Sequence, residues 1–183
     1  MATGFVDRIK GKIIDPAASL TQFGAGGAVF RNGGNIYSNQ SASGLGMTST
    51  TSEVVLDSFT LPANSLDVPG RELYIYAFGS TASNTHAKTM KLYFGTAGGS
   101  TSTFVTSSVA SASWVLQMVV QKDAANSQII SSQAISGTSH SGCTTAAGTM
   151  TDTGPITIQV TGQTGTAGAN DVTLNGWMIT GLN

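Results

Sequence analysis

From Ser52 to the C-terminus, apolar and polar residues alternate with a period of two in one segment after another. Such a period sends successive side chains to opposite faces of an extended strand, so this part of the chain is committed to β-sheet. The clearest segment is Ser113–Lys122, with Trp114, Leu116, Met118 and Val120 on one face and Val115, Gln117, Val119 and Gln121 on the other. In Pro155–Gly162, Ile156, Ile158 and Val160 oppose Thr157, Gln159 and Thr161. Val54, Leu56 and Phe59 lead to Leu61-Pro62, where proline should end the strand. Arg71–Gly79 sets Leu73, Ile75 and Ala77 against Tyr74, Tyr76 and Phe78, and Lys88–Gly95 aligns Met90, Leu92 and Phe94. Thr103–Thr106, around Phe104, is a short candidate, and Ser127–Ile135 is a plausible partner for the Trp114 strand. Asp171–Thr180 runs from Val172 and Leu174 to Trp177 and Ile179, and Asn175-Gly176 shifts its phase, which predicts a bulge.

These segments make about eight strands. The joining loops are rich in Gly, Ser, Thr and Asn, as in Thr96–Ser102, Ser136–Thr149 and Gly162–Asn170. Short strands at regular spacing, without helical periods, indicate an all-β antiparallel sandwich or barrel. One sheet cannot bury both of its faces, so two sheets are expected to share the Trp114, Leu116, Ile156, Ile158 and Trp177 faces. Residues 52–183 read as this domain. Residues 1–51 read as an N-terminal arm and a Gly/Ser-rich segment with short edge strands. Within the arm, Phe5, Ile9 and Ile13 recur every fourth residue, the spacing of an amphipathic helix, although Gly4 and Gly11 weaken it. An extended arm that orders only against a neighbour is the alternative. Between Ala17 and Thr51, Ala28-Val29-Phe30 and Asn35-Ile36-Tyr37 read as short edge strands or ordered loop, with Asn32-Gly33-Gly34 as a turn signal.

Charge narrows the function classes. Charged residues are 9% of the chain, against about 25% in an ordinary domain. Ser and Thr together supply about a quarter. The surface is therefore polar through hydroxyls and amides, and such surfaces repel one another weakly. A net charge of −1 lacks the basic footprint that nucleic acid requires and gives no support for attachment to a membrane surface. Cys143 is the only cysteine, so no intrachain disulfide is expected. Met1–Asp15 lacks the continuous apolar stretch of a signal peptide, so synthesis in the cytoplasm is expected.

Candidate chemistry is sparse. His140 and Cys143 have an HxxC spacing, but no second pair completes a zinc site. Ser139-His140 has no GxSxG elbow around it. Asp152 and Asp171 would approach one another only if their strands pair, and a glycosidase would need two carboxylates in one cleft. Turn and strand-end roles suit them better. Gly24–Gly27 and Gly95–Ser100 lack the GK[ST] of a phosphate loop, and Asn39-Gln40-Ser41 is a sequon by pattern alone. The Tyr74, Tyr76 and Phe78 face would suit a sugar or a partner subunit, but Leu73 and Ile75 opposite it favour a strand buried on both sides. No catalytic residue, metal ligand or cofactor is expected.

The order of these words carries a resemblance. Leu61-Pro62-Ala63-Asn64-Ser65-Leu66 is followed by Arg71-Glu72-Leu73-Tyr74-Ile75-Tyr76-Ala77-Phe78-Gly79, then Lys88-Thr89-Met90-Lys91-Leu92-Tyr93-Phe94-Gly95 and Trp114-Val115-Leu116. Ile156-Thr157-Ile158-Gln159-Val160-Thr161-Gly162 and Asn170-Asp171-Val172-Thr173-Leu174 close the series. This pattern, over roughly Val54–Asn183, resembles β-sandwich modules of tailed-bacteriophage virion proteins, closest to capsid cement (decoration) proteins. The resemblance implies a jelly-roll subunit on the outer capsid surface of the virion. It implies the major capsid protein and further copies of the chain as partners, a homotrimer ahead of a homodimer. The arm is then the candidate for capsid docking, through Phe5, Arg8, Ile9, Lys12 and Ile13. The other function class is a receptor- or carbohydrate-binding module of a tail or head fibre, with the loops after Gly95 and Gly162 as its binding surface.

Overall fold

The structure, a computed structural model, describes residues 34–95, 101–106, 112–136 and 139–182; the side chains of residues 42, 101–106 and 139–144 are outside that description. The proposed docking residues Phe5, Arg8, Ile9, Lys12 and Ile13, and the Ala28-Val29-Phe30 word, lie outside the described residues. All ten described elements are strands. They are β1 (Gly34–Gly46), β2 (Val54–Leu61), β3 (Glu72–Thr81), β4 (Lys88–Phe94) and β5 (Thr101–Thr106), then β6 (Ser113–Ala124), β7 (Ser127–Ser136), β8 (Ser139–Gly148), β9 (Ile156–Thr164) and β10 (Val172–Gly181). They form a six-stranded sheet, β1-β10-β3-β6-β7-β8, and a four-stranded sheet, β2-β9-β4-β5. Every pairing is antiparallel.

The topology is that of a jelly roll. Four antiparallel pairs are nested: β1 with β10, β2 with β9, β3 with β6, and β4 with β5. They make one long ribbon whose closed end is the β4–β5 connection. The ribbon is wound so that successive pairs fall in opposite sheets, and β10·β3 and β9·β4 then zip the two halves of each sheet together. Winding of this kind lets a period-two ribbon bury one face everywhere. The β7–β8 hairpin is an addition between β6 and β9 that widens only the six-stranded sheet.

Between the sheets lies one apolar layer. The six-stranded sheet contributes Leu73, Ile75, Trp114, Leu116, Met118, Val120, Trp177 and Ile179, and the four-stranded sheet Leu61, Met90, Leu92, Phe94, Ile156, Ile158 and Val160. All five residues expected to share the core do so. Each indole is packed and satisfied. Trp114 lies over Gly79 on the next strand, where any Cβ would collide with the Thr173 backbone carbonyl and with the indole's six-membered ring, and its Nε1–H donates to the Ser80 carbonyl at 3.2 Å. Trp177 Nε1–H donates to Asp57 Oδ2 across the sandwich at 2.8 Å.

Three features differ from the expectation. Ser139–Gly148, expected as loop, is the edge strand β8. Its sequence, SHSGCTTAAG, has no apolar face, so its alternation carried no contrast. The Asn35-Ile36-Tyr37 word belongs to a 13-residue edge strand with two register irregularities, Asn35/Tyr37 and Gln40/Leu45. β2 has an unexpected shift between Val55 and Asp57. The bulge expected at Asn175-Gly176 is present between Leu174 and Gly176.

Gly79 tests the core most locally. Gly79→Ala should destabilise the fold by roughly 1–3 kcal/mol through overpacking and should shift tryptophan emission. Gly154→Ala, whose Cβ would meet nothing nearer than the Thr151 carbonyl at 3.8 Å, should leave the melting temperature unchanged.

Candidate interaction surface

The few ionisable side chains are gathered into networks. At one end of the sandwich, the buried Asp171 carboxylate accepts from Asn84 Nδ2 at 2.6 Å and Thr164 Oγ1 at 3.1 Å, and meets His86 Nδ1 at 2.6 Å. Beside it, Lys88 is fully buried, and its ammonium donates to Asn84 O, Asn84 Oδ1 and His86 O at 3.1, 2.7 and 3.0 Å. These bonds tie the β3–β4 loop to the β9–β10 loop. Burial works to raise the Asp171 carboxyl, but the bonds from His86, Asn84 and Thr164 outweigh it and hold the group below the usual carboxylate range.

At the opposite end, Asp152 is paired with buried Lys122 and accepts from Gln128 Nε2 at 2.7 Å and from the Asn126 backbone N–H. Asn126 sits at φ 53° in the β6–β7 turn, a conformation Asn tolerates, and its Oδ1 accepts the Asp152 N–H in return. Burial pushes the Lys122 amine down. Asp152 and Asp171 therefore lie in the loops at opposite ends of β9, a nine-residue strand about 30 Å long at roughly 3.3 Å per residue. They do not come together as an acid–base pair; strand-end roles describe them correctly. A third network lies on the four-stranded sheet, where Glu53 accepts from Lys91 Nζ at 2.6 Å, Tyr93 Oη at 2.7 Å and Thr161 Oγ1. His140 and Cys143 are in β8, outside the described side chains, and among the described residues no group of three or more His, Cys, Asp and Glu is placed to hold a metal ion.

Among the described residues, the broadest exposed feature is the outer face of the six-stranded sheet. Cross-strand register lays it out in rows. Ser38, Met178, Tyr76, Gln117 and Gln133 form one row across five strands. On one side of it run Thr180, Tyr74, Val119, Ser131 and Thr145. On the other run Gly176, Phe78, Val115, Ile135 and, by backbone register, His140. At the end nearest Asp152 stand Glu72, Gln121, Ile129 and Ala147. Glu72 is the one charge among the described side chains of these rows, and it accepts from Gln121 Nε2 at 2.7 Å.

An aromatic ladder runs along β3 in the middle of this face. The Tyr74–Tyr76 and Tyr76–Phe78 centroids are 6.4 and 5.8 Å apart. Phe78 also covers Gly176, where a Cβ would come within 2.8 Å of its ring. The expectation that this strand is buried on both faces is corrected: Phe78 is 36% exposed, and Met178 and Ile129 on the same face are 37% and 43% exposed. The physical reason is topological. A jelly roll has two layers, so the side of each sheet away from the partner sheet meets solvent. The signal was present in the alternation itself, which already opposed Val115, Gln117 and Val119 to the Trp114 face. No protein-family model, curated protein or solved structure matches this chain.

Because the Asp171 carboxyl is depressed in the folded state, its ionised form stabilises the protein fully above the unfolded value of about 3.9. That contribution is lost as pH falls from there through the lower folded value. Urea titrations at pH 6 and pH 3 should show a smaller loss of stability between the two for Asp171→Asn than for the wild type. An equal loss would separate Asp171 from the acid response.

Proposed function

We propose that this chain is a structural virion protein, a capsid cement protein that binds the outer surface of the assembled capsid and stabilises the shell by contact alone. One observation carries the reading. The networks around Asp171, Asp152 and Glu53 are engaged in tying the fold together, while among the described side chains in the rows of the six-stranded sheet's outer face Glu72 is the one charge and the others are aromatic, aliphatic, hydroxyl and amide groups. A jelly roll finished in this way is suited to adhesion. Jelly-roll architecture recurs in viral capsid and lectin domains, so the fold is compatible with the assignment without specifying it. Binding the lattice but not the dissociated subunit would stabilise the shell by mass action.

The Tyr74–Tyr76–Phe78 ladder also favours a second reading, a receptor- or carbohydrate-binding module of a tail or head fibre. The sequence resemblance over residues 54–183, closest to cement proteins, puts the cement reading first.

The arm supplies the test. A chain lacking Met1–Asp15 should keep the β-sheet circular dichroism and melting temperature of the full chain and should lose occupancy on capsids. Undiminished occupancy would remove Phe5, Arg8, Ile9, Lys12 and Ile13 from the docking contact.

A further inference from the structure

We propose that Lys122 and Asp152 form a self-modification site, at which the Lys122 amine condenses with the Asp152 carboxyl to give an amide crosslink within the chain, with loss of one water.

Both groups are buried, with side chains 3% and 8% exposed, and Lys122 Nζ is in contact with Asp152 Oδ2. The backbone is clamped on each side. The Lys122 N–H donates to the Arg71 carbonyl, and the Lys122 carbonyl accepts from the Gly70 N–H, each at 2.8 Å. The Asp152 N–H donates to Asn126 Oδ1 at 3.1 Å, and the Asp152 carbonyl accepts from the Asn64 N–H at 2.9 Å. Reacting groups held in contact and away from water have the high effective concentration of an intramolecular reaction.

The surroundings favour condensation over a lasting ion pair. An ammonium carries three N–H donors, and a buried one is stable only where they are met. Lys88, at the other end of the sandwich, meets three oxygen acceptors at 3.1, 2.7 and 3.0 Å. Lys122 meets Asp152 alone among the described residues. Burial accordingly pushes its amine down and outweighs the charge of Asp67, which works the other way. Asp67 is itself half exposed and paired with Arg71 at 3.0 Å. Transfer of one proton from Nζ to Oδ2 then leaves a nucleophilic amine against a neutral carboxylic acid.

Asp152 is presented for attack. Gln128 Nε2 donates to its Oδ1 at 2.7 Å, and the Asn126 N–H donates to its Oδ2. Met150 fixes the Gln128 amide: its carbonyl accepts from Nε2 and its N–H donates to Oε1, both at 2.9 Å. In the addition, the Nζ lone pair bonds to Cγ and the π electrons of Cγ–Oδ1 move onto Oδ1, where Gln128 meets the developing charge. In the collapse, a second amine proton passes to Oδ2, the Cγ–Oδ2 bond breaks, and Oδ2 leaves as water. The step consumes no other reactant. The product removes both buried charges and keeps the Gln128 bond on its carbonyl. It closes a covalent loop from β6 to the β8–β9 connection, around the β7–β8 hairpin at the edge of the six-stranded sheet.

Intact-mass spectrometry of the full chain tests this. The wild type should weigh one water less than its sequence requires, once any loss of Met1 is allowed for. Lys122→Arg, which keeps the charge, and Asp152→Ala should weigh what their sequences require. Trypsin cuts after Lys91 and Lys122, and residues 123–183 hold no Lys or Arg. The amide blocks the second cut, so residues 92–183 should appear as one fragment short of one water. A chymotryptic digest should give a branched peptide joining Lys122 to Asp152. A folded wild type at full sequence mass and cut after Lys122 is an ion pair only and overturns the proposal. So does a water lost equally from the wild type and from Lys122→Arg. The wild-type mass carries the decision whether or not a variant folds, and capsid binding does not enter it, so the cement reading stands or falls separately.

Discussion

Trp177 closes the mouth of the sandwich between β1, β2 and β10, and much else depends on that contact. Its indole meets the Tyr37 ring edge-on at 5.1 Å, and Tyr37 in turn lies 4.7 Å from Phe59 on the opposite sheet. Its N–H reaches Asp57, which also accepts from Tyr37 Oη at 3.2 Å and Asn39 Nδ2 at 2.7 Å. One carboxylate thus gathers three donors from two strands of the other sheet. A buried aromatic N–H or O–H without an acceptor would cost about 1–3 kcal/mol, so this side of the fold holds only while Asp57 stays in register. The bulge at Asn175 is part of the same arrangement. It brings Trp177 to the inner face although Leu174, three residues earlier, also points inward.

Scarce charge shapes the rest of the molecule. With 9% charged residues, a substantial part of the set is occupied at loop junctions, where a buried ion needs partners to offset its desolvation. Lys88 and Asp171 organise one end, and Lys122 and Asp152 the other. The Glu53–Lys91 pair lies on the four-stranded sheet, and the described outer face of the six-stranded sheet is left, Glu72 apart, to hydroxyls, amides, aliphatic groups and aromatic rings. The same economy of charge thus stiffens the loops and leaves exteriors with little electrostatic opposition to association.

The sandwich was legible because hydrophobic contrast was strong where burial was complete. Trp114, Leu116, Ile158 and Trp177 announced the core, and proline at 62 and Asn175-Gly176 announced a strand end and a bulge. β8 was not legible, since a strand at a sheet edge built from Ser, His, Gly, Cys, Thr and Ala shows alternation without contrast. The irregularity in β2 left a trace in the change of parity between Leu56 and Phe59. The networks around Asp57, Asp152 and Asp171 depend, apart from the Thr164–Asp171 bond, on contacts 18 to 120 residues apart, and no local pattern encodes those. The exposed ladder was visible as Tyr74, Tyr76 and Phe78, but its exposure follows from a two-layer topology that the strand pattern alone does not fix.

On the proposed reading, the chain should be present in proportion to the surface it covers. Quantitative mass spectrometry of purified particles, measuring this chain against the major capsid protein, addresses that most directly. The prediction is a ratio that holds constant across the shell, with copies scaling as the capsid subunits do. A small fixed number per particle, matching a tail or a single vertex, or absence of the chain from particles altogether, would contradict it.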